Sequence, residues 1–304
     1  MAKLSYLASV SETRKVLERF GLNTKKSLGQ HFLINDGVVS KICDLAEVSK
    51  EDVVIEVGPG IGTLTVALLQ QAGRVISVER DTDLPQVLEY TCDEWRDSFT
   101  LISGDALEVS TESLKLVSPT LPNKLISNLP YAVAATIVLD FFEKLETMQS
   151  ATVMVQAEVA DRMAAQPGTK NYGAYTVKLN LFAKPTGRFS VSEGNFFPPP
   201  RVKSAVIKLE RNSQYGDMDP NLRKATMIMA DASFANRRKT IANSCKSYFS
   251  NEQTRDEVIL ANLSNLFERA QIAPNERGEH LTLEQFISLG KAYRYYEDNF
   301  TSLN

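Results

Sequence analysis

The stretch "VVIEVGPGIGTLT", residues 53–65, decides the fold of this chain. Its first five residues have the length and β-branched content of a buried strand, with an acid, Glu56, near the end. Gly58, Gly60 and Gly62 follow, and a helix is predicted to begin at Thr63. Glycines let backbone approach a ligand where a Cβ would collide, and a helix N-terminus offers free N–H donors. The stretch therefore predicts a strand, a ligand-binding turn and a helix.

The same unit repeats after the glycines. Amphipathic stretches at 64–72 and 133–145 have the apolar spacing of helices with one buried face. Short apolar runs that predict further buried strands lie at 75–79, 99–102, 124–127 and 151–157. Strands that alternate with helices predict an α/β fold with a parallel sheet and right-handed crossovers.

The pattern changes after residue 184. "GRFSVS" (187–192) and "SAVIKLE" (204–210) are predicted strands around the loop "EGNFFPPPR" (193–201), whose prolines exclude regular structure. Together they predict a hairpin-like edge. Residues 211–221 have the composition of a linker, and the rest of the chain has helical periodicity. We therefore predict one domain over 1–212 and a small all-helical domain over 213–304.

Two acids follow predicted strands on the same side of the sheet as the glycines. Glu79 lies 21 residues after Gly58, close to the spacing of about 20 at which an acid binds ribose hydroxyls in nucleotide-binding α/β folds. Asp105, in "SGDAL", is placed to accept a hydrogen bond from an adenine amino group. Since ligands of open α/β sheets bind at the carboxyl ends of the strands, these groups predict a nucleoside site.

"SNLPY", residues 127–131, follows the fourth strand and suggests a reaction at an amino group. The exocyclic amine of a base is a poor nucleophile, because its lone pair is delocalised into the ring. Asn128 offers a side-chain oxygen, and Leu129 or Pro130 a backbone carbonyl, to accept its two N–H bonds. Tyr131 can stack on the base, a contribution of roughly 1–3 kcal/mol in other systems. The group predicts a site that holds an amine in line with an electrophilic methyl.

In their order, these motifs resemble a known enzyme family. "KKSLGQHFL" (25–33), "EVGPGIGTLT", "VER", "GDAL", "SNLPY" and "FFPPPRVKSAV" (196–206) are similar to the motifs of the S-adenosylmethionine-dependent ribosomal RNA adenine N6,N6-dimethyltransferases of the KsgA family. The resemblance covers about residues 20–245. It implies a Rossmann-like class I methyltransferase sheet, with a small C-terminal helical domain that helps to hold RNA.

The resemblance also implies a set of site residues. "GQHFL" would cap the cofactor, and because the family also has Asn where this chain has His31, contact through side chain or backbone stays open. Phe197 would face Tyr131 across the target base. The implied cofactor-binding residues are Gln30, His31, Leu33, Gly58, Gly60, Glu79, Asp105, Ala106 and Asn128. The implied methyl-transfer site is Asn128, Leu129, Pro130, Tyr131 and Phe197. "SFANRRKTIANS" (233–244) matches the basic segment of the helical domain, so Arg237, Arg238 and Lys239 would bind phosphates.

The activity implied is transfer of methyl groups from S-adenosylmethionine to N6 of two adjacent adenosines, in a loop near the 3′ end of 16S rRNA. The partner would be the small-subunit rRNA in a pre-30S particle, and the enzyme is expected to be a monomer. No general base is obvious and none is required, because the methylated ammonium product is acidic enough to lose its proton to water.

Composition and charge narrow the alternatives. The net charge is −3, but basic residues concentrate at 14–26, 184–211 and 223–246, which fits a polyanion partner. Three widely spaced cysteines and two distant histidines predict neither disulfides nor a metal site. No apolar run reaches the roughly 18–20 residues of a membrane span. Residues 1–12 do not resemble a secretory signal, so a cytoplasmic location is expected.

Four other functions fit parts of this sequence pattern less well. An erythromycin-resistance type 23S rRNA adenine methyltransferase shares the fold, but the helical tail and "FFPPPRVKSAV" favour the small-subunit enzyme. A DNA adenine methyltransferase usually has Asp-Pro-Pro-Tyr where this chain has Asn128 to Tyr131. A dehydrogenase prefers glycine at the position of Thr63. A non-catalytic RNA-binding assembly factor would be expected to lack Asn128, Glu79 or Asp105.

Overall fold

A computed structural model describes residues 3–23 and 30–300 of the chain, without the side chain of Phe300. The "KKSLG" part of the upstream motif, with Lys25 and Lys26 of the first basic segment, lies outside the described residues. Gln30, His31 and Leu33 lie within them.

The main sheet has seven strands, which are β2 (Val53–Val57), β3 (Arg74–Glu79), β4 (Phe99–Ser103), β5 (Lys124–Asn128), β6 (Ser150–Gln156), β7 (Ala183–Val191) and β9 (Ser204–Arg211). Their order across the sheet is β4-β3-β2-β5-β6-β9-β7. The first five positions are parallel, and β9 is antiparallel to β6. The predicted parallel α/β sheet is confirmed, and β7 and β9 are neighbours at one edge, as the predicted hairpin-like edge requires.

A second, two-stranded sheet joins distant parts of the sequence. It pairs β1 (Phe32–Leu33) with β8 (Phe196–Phe197) in antiparallel register. Regular structure therefore reaches further than predicted into the loop at 193–201, because the residues just before Pro198 still have N–H groups that can pair. This ladder holds the "GQHFL" segment beside the proline loop.

The helices of the first half of the chain pack around the sheet and bury much of its apolar surface. Helix α3 has seven of its nine residues buried and begins after Gly62, which has a left-handed φ of 92°. The helices of this part are α1 (Val10–Arg19), α2 (Asp36–Ala46), α3 (Thr63–Gln71), α4 (Pro85–Thr91), α5 (Thr111–Val117), α6 (Ala134–Lys144) and α7 (Ala157–Met163). Both predicted helices are confirmed, but only α6 has a single buried face, because α3 is buried on every side from Thr63 to Leu69.

The chain divides into two compact units, and the division differs from the single boundary predicted at residue 212. The first unit comprises 1–160 and 185–211, and the second comprises 161–184 and 212–304. Residues 161–184 join the helical unit because Tyr172 and Val177 are buried in its core. Tyr172 also donates a hydrogen bond from its hydroxyl to the carbonyl of Leu281, at 2.9 Å. The predicted boundary near 212 is one of three crossings.

The second unit is helical, as its periodicity predicts. Its helices are α8 (Ala174–Asn180), α9 (Pro220–Phe234), α10 (Ile241–Phe249), α11 (Glu257–Ala270) and α12 (Leu283–Phe300). Helices α9, α10 and α11 are capped by the preceding residues Asp219, Thr240 and Asp256, whose side chains each accept a hydrogen bond from a first-turn N–H.

No helix in the described part of the chain is both long and apolar enough to cross a membrane. Within 3–23 and 30–300, no group of three or more His, Cys, Asp or Glu side chains is arranged to hold a metal ion.

Candidate active site

A cavity of about 250 Å³ opens at the carboxyl ends of β2, β3, β4 and β5. The chain reverses its order across the sheet at β2, which lies between β3 and β5, and such switch points are where α/β folds bind ligands. Predicted site residues that line the cavity are Gln30, His31, Leu33, Gly58, Gly60, Glu79, Asp105, Ala106, Asn128, Leu129, Pro130 and Tyr131. The structure thus brings together every predicted cofactor-binding residue, and the roles given to them stay predictions.

The glycine turn forms one wall of the cavity. Gly58 and Gly60 have left-handed φ values of 68° and 61°. A Cβ at Gly60 would lie 3.1 Å from the ring of Phe32, so a side chain there would also push against β1. The turn therefore needs glycine both for its backbone and for its contact with the "GQHFL" segment.

Glu79 ends β3 and is almost completely buried at the cavity wall. Its two carboxylate oxygens accept from the N–H of Asp81 at 2.8 Å and from the N–H of Gly60 at 3.3 Å. Burial raises the pKa of Glu79 above its usual range, although both N–H groups lower it. The carboxylate is held in place and can still accept from a diol, because each oxygen has a second lone pair.

Asp105 lies after β4, where its carboxylate caps a short 3-10 helix that begins at Ala106. One oxygen accepts from the N–H of Leu107 at 3.0 Å, and the other lies 3.4 Å from the guanidinium of Arg80. The carboxylate therefore has a fixed direction at the edge of the cavity.

Two buried polar residues at the cavity were not among the predicted site residues. Glu56 accepts from the hydroxyls of Thr65 and Ser77, and burial raises its pKa to about 7. The hydroxyl of Thr63 is buried with no hydrogen-bond partner among the described residues, and it lines the cavity. An acid before the glycines was visible in the sequence, but the unpaired hydroxyl of Thr63 was not.

Arg80 and Asp81 also line the cavity and were missed. The side-chain amide of Gln30 donates to the carboxylate of Asp81 at 2.7 Å, which ties the segment before β1 to the end of β3. The polar residues after "ISVE" could have indicated that Arg80 and Asp81 lie at the site. The contact of Asp81 with Gln30 could not be predicted, because it joins positions 51 residues apart.

Asn128 has its amide direction set by a contact across the cavity. Its Nδ2 donates to the backbone carbonyl of His31 at 3.2 Å, and Oδ1 accepts from no donor among the described residues. Of the two candidate carbonyls, that of Pro130 already accepts from the N–H of Val133 at 3.2 Å. No described N–H donates to the carbonyl of Leu129, so Leu129 is the better second acceptor.

Tyr131 is positioned by its hydroxyl and by a ring contact. The hydroxyl hydrogen bonds to that of Ser204 at 2.7 Å. The ring stacks with His31, with centroids 6.2 Å apart and planes inclined by 23°. His31 donates from Nδ1 to the carbonyl of Pro198 at 2.8 Å, since a carbonyl oxygen can only accept.

Phe197 is not brought to the position that the resemblance implies. It lies opposite Phe32 in the two-stranded sheet, and it is absent from the described residues that line the cavity. The guanidinium of Arg14 lies 5.2 Å from the centre of its ring. The ring that faces Tyr131 in this structure belongs to His31.

The predicted RNA-binding residues of the helical unit have different surroundings. Arg237 donates to the carbonyls of Lys170 and Tyr172 at 2.8 and 3.0 Å, so it holds two loops of its own unit together. The side chains of Arg238 and Lys239 are exposed, and neither side chain has an ion pair or hydrogen bond within the described residues.

Known proteins resemble the chain over most of its length. A family model described as ribosomal RNA adenine dimethylase matches residues 21–289. A protein named Ribosomal RNA small subunit methyltransferase A from Acidothermus cellulolyticus is 36% identical over 286 residues, which cover 93% of each chain. A protein of the same name from Streptococcus sanguinis is 37% identical over 291 residues, 95% of this chain and 98% of that one.

The fold has a counterpart among solved structures. The crystal structure of a dimethyladenosine transferase from Plasmodium falciparum superimposes with a TM-score of 0.70 over 88% of this chain and 98% of that chain, at 23% identity. The predicted Rossmann-like methyltransferase sheet with a helical C-terminal region is thus confirmed. By the family match and the two relatives, the chain belongs to the ribosomal RNA adenine dimethylase family.

Proposed function

We propose that this protein transfers methyl groups from S-adenosylmethionine to N6 of two adjacent adenosines near the 3′ end of 16S rRNA, giving N6,N6-dimethyladenosine. The observation that carries the proposal is that Asn128 shares one cavity with the glycine turn, Glu79 and Asp105. The small-subunit name of the matched relatives supports the choice of RNA.

The residues of the cavity fit S-adenosylmethionine. The glycine turn lets a ligand approach the backbone closely, and the buried hydroxyl of Thr63 lacks a partner among the described residues. Glu79 would accept from the ribose hydroxyls, Asp105 from the adenine amino group, and Gly58 would lie against the methionine part. When bound, this cofactor supplies the electrophilic methyl group.

Catalysis by the chain itself would come from orientation. In the first transfer, Oδ1 of Asn128 and the carbonyl of Leu129 would accept the two N–H bonds of the target amine, which frees its lone pair. In the second transfer, one of these acceptors would hold the single N–H that is left. Tyr131 would hold the base flat. These fixed acceptors act by proximity and by electrostatic preorganisation, and the proton of the product would pass to water. The target adenosine must leave its stack, which costs a few kcal/mol and less in a loop.

Two alternatives lead to different products. A 23S-type methyltransferase would modify large subunits, and a non-catalytic assembly factor would bind RNA without modifying it. The relatives that match over nine-tenths of this chain are named for the small subunit, which favours our proposal over the first. The buried and oriented Glu79, with the free acceptor of Asn128, favours it over the second.

The test is incubation with labelled S-adenosylmethionine and, separately, undermethylated small subunits, large subunits and protein-free 16S rRNA. Mass spectrometry of digested nucleosides should find dimethyladenosine in the small-subunit reaction. We further propose that a pre-30S particle is preferred over free rRNA and that the enzyme acts as a monomer, which the rRNA arm and light scattering test. Label only in large subunits, or none in any RNA, would overturn the proposal.

A further inference from the structure

A loop of the first unit frames the ring pair of the candidate active site. This mouth loop, residues 198–203, is anchored at both ends to residues that line the cavity. At its start the carbonyl of Pro198 accepts from His31, and directly after its end Ser204 hydrogen bonds to Tyr131. Because His31 and Tyr131 are the stacked rings, the loop lies where a base would enter between them or beside them.

The mouth loop and its neighbour carry cations with no acidic partner. The side chains of Arg201 and Lys203 are exposed, and neither side chain has an ion pair or hydrogen bond within the described residues. Arg14 is exposed on α1, and its guanidinium lies over the ring of Phe197, directly before the loop. Lys15, the next residue of the same helix, differs because it is paired with Glu12 at 2.7 Å.

The cavity behind this rim has the opposite charge. Four carboxyl groups line it, and of its described lining residues only Arg80 is a lysine or arginine. Those carboxyl groups belong to Glu56, Glu79, Asp81 and Asp105. A polyanionic strand meets repulsion at such a mouth unless cations on the rim offset it.

We propose that Arg14, Arg201 and Lys203 form a binding surface for the RNA backbone on either side of the target adenosine. The surface rests on the proposed function for the identity of its polyanion. Guanidinium and ammonium groups that bind phosphates release counterions and fix the register of the strand without reading its sequence. They are positioning residues for the RNA and touch neither cofactor nor reacting atoms.

The test compares an R14A/R201A/K203A variant with wild type in binding a fluorescein-labelled single-stranded RNA oligonucleotide with two adjacent adenosines, over a range of KCl concentrations. Each lost phosphate contact should lower the slope of log K against log salt by about 0.7, so the slope should fall by about 2. Affinity at about 0.1 M salt should fall roughly fivefold per contact. KM for small subunits should rise while kcat at saturation stays near wild type.

The matched controls are K15A, whose side chain is already neutralised by Glu12, and R14K/R201K, which keeps the charges. Both should keep the wild-type salt slope, and S-adenosylhomocysteine should bind all variants equally. A triple variant with the wild-type slope would overturn the surface, even if wild type methylates small subunits. A lower salt slope in the triple variant, with wild-type slopes in both controls, would support the surface. If wild type then transferred no methyl group to RNA, that result would contradict the proposed function and leave the surface supported.

Discussion

At the scale of single residues, Asn128 combines a fixed orientation with a free acceptor. Its donor group is used by the carbonyl of His31, so the oxygen cannot turn away without losing that bond. Proximity to the cavity was predictable because Asn128 ends a parallel strand. The bond that fixes its direction was not, since it joins positions 97 residues apart.

We expect Asn128→Ala to reduce single-turnover methyl transfer by on the order of a hundredfold or more, because one of two fixed acceptors is lost. Binding of S-adenosylhomocysteine, measured by calorimetry, should change little. A variant with near wild-type rates would show that Asn128 is not an acceptor for the target amine.

Glu56 should make stability depend on pH. Burial raises its folded pKa from 4.5 to about 7, so the folded protein binds this proton more tightly than the unfolded chain. The stabilisation is therefore complete below the unfolded value and is lost as pH rises to about 7. We expect wild type to lose up to about 3 kcal/mol of unfolding free energy across this window. Glu56→Gln should remove that loss, measured by urea denaturation at pH 5 and pH 8, and an unchanged difference would contradict the assignment.

At the scale of elements, the strands were predictable and their partners were only partly so. Runs such as "VVIEV" and "KLIS" are buried on both faces of the sheet. Their apolar residues therefore identify them as strands from the local sequence alone. The pairing of β1 with β8 depends on residues more than 160 positions apart, and no local pattern reports it. The same contact explains why Phe197 lies against Phe32 and not in the cavity.

A side chain at Gly62, in the turn into α3, should lower the stability of the folded protein. Its φ is 92°, and a Cβ there would lie 2.9 Å from the hydroxyl oxygen of Thr91. We expect Gly62→Ala to lower the free energy of unfolding by about 1–3 kcal/mol, from backbone strain and the close contact. Gly194→Ala is the control, because its Cβ would meet open space, and it should change stability by less than about 0.5 kcal/mol. Equal effects of the two variants would argue against strain at the turn.

At the scale of the whole molecule, the three basic residues at 237–239 should have two different roles, one in stability and one in RNA binding. Arg237→Ala should lower the unfolding free energy by about 1 kcal/mol, because the carbonyls of Lys170 and Tyr172 lose a charged donor that is partly exposed. Arg238→Ala with Lys239→Ala should leave stability unchanged and lower the salt slope of RNA binding by about 1 to 2. Thermal denaturation and fluorescence anisotropy distinguish these results, and a stable Arg237→Ala variant would refute the structural role.

The assignment of residues 161–184 shows why domain composition was harder to predict than fold class. A helix such as α8 has the same local sequence pattern whichever core it joins. Only the burial of Tyr172 and Val177 among the C-terminal helices places it there. Composition predicts a linker near 212, where one crossing lies, but the two earlier crossings fall inside α7 and at Pro185 inside β7, so regular structure continues across both.

Because the chain crosses between the units three times, a protease that cuts only in the exposed stretch between Arg211 and Asp219 would leave the pieces physically associated. The amino-terminal fragment would still carry Tyr172, whose ring is enclosed by the helices of the carboxy-terminal fragment. The two fragments would therefore separate on a denaturing gel but elute together from a size-exclusion column under native conditions. By the same reasoning, residues 213–304 expressed alone would leave an apolar socket where Tyr172 and Val177 belong, and would aggregate more readily than the intact chain.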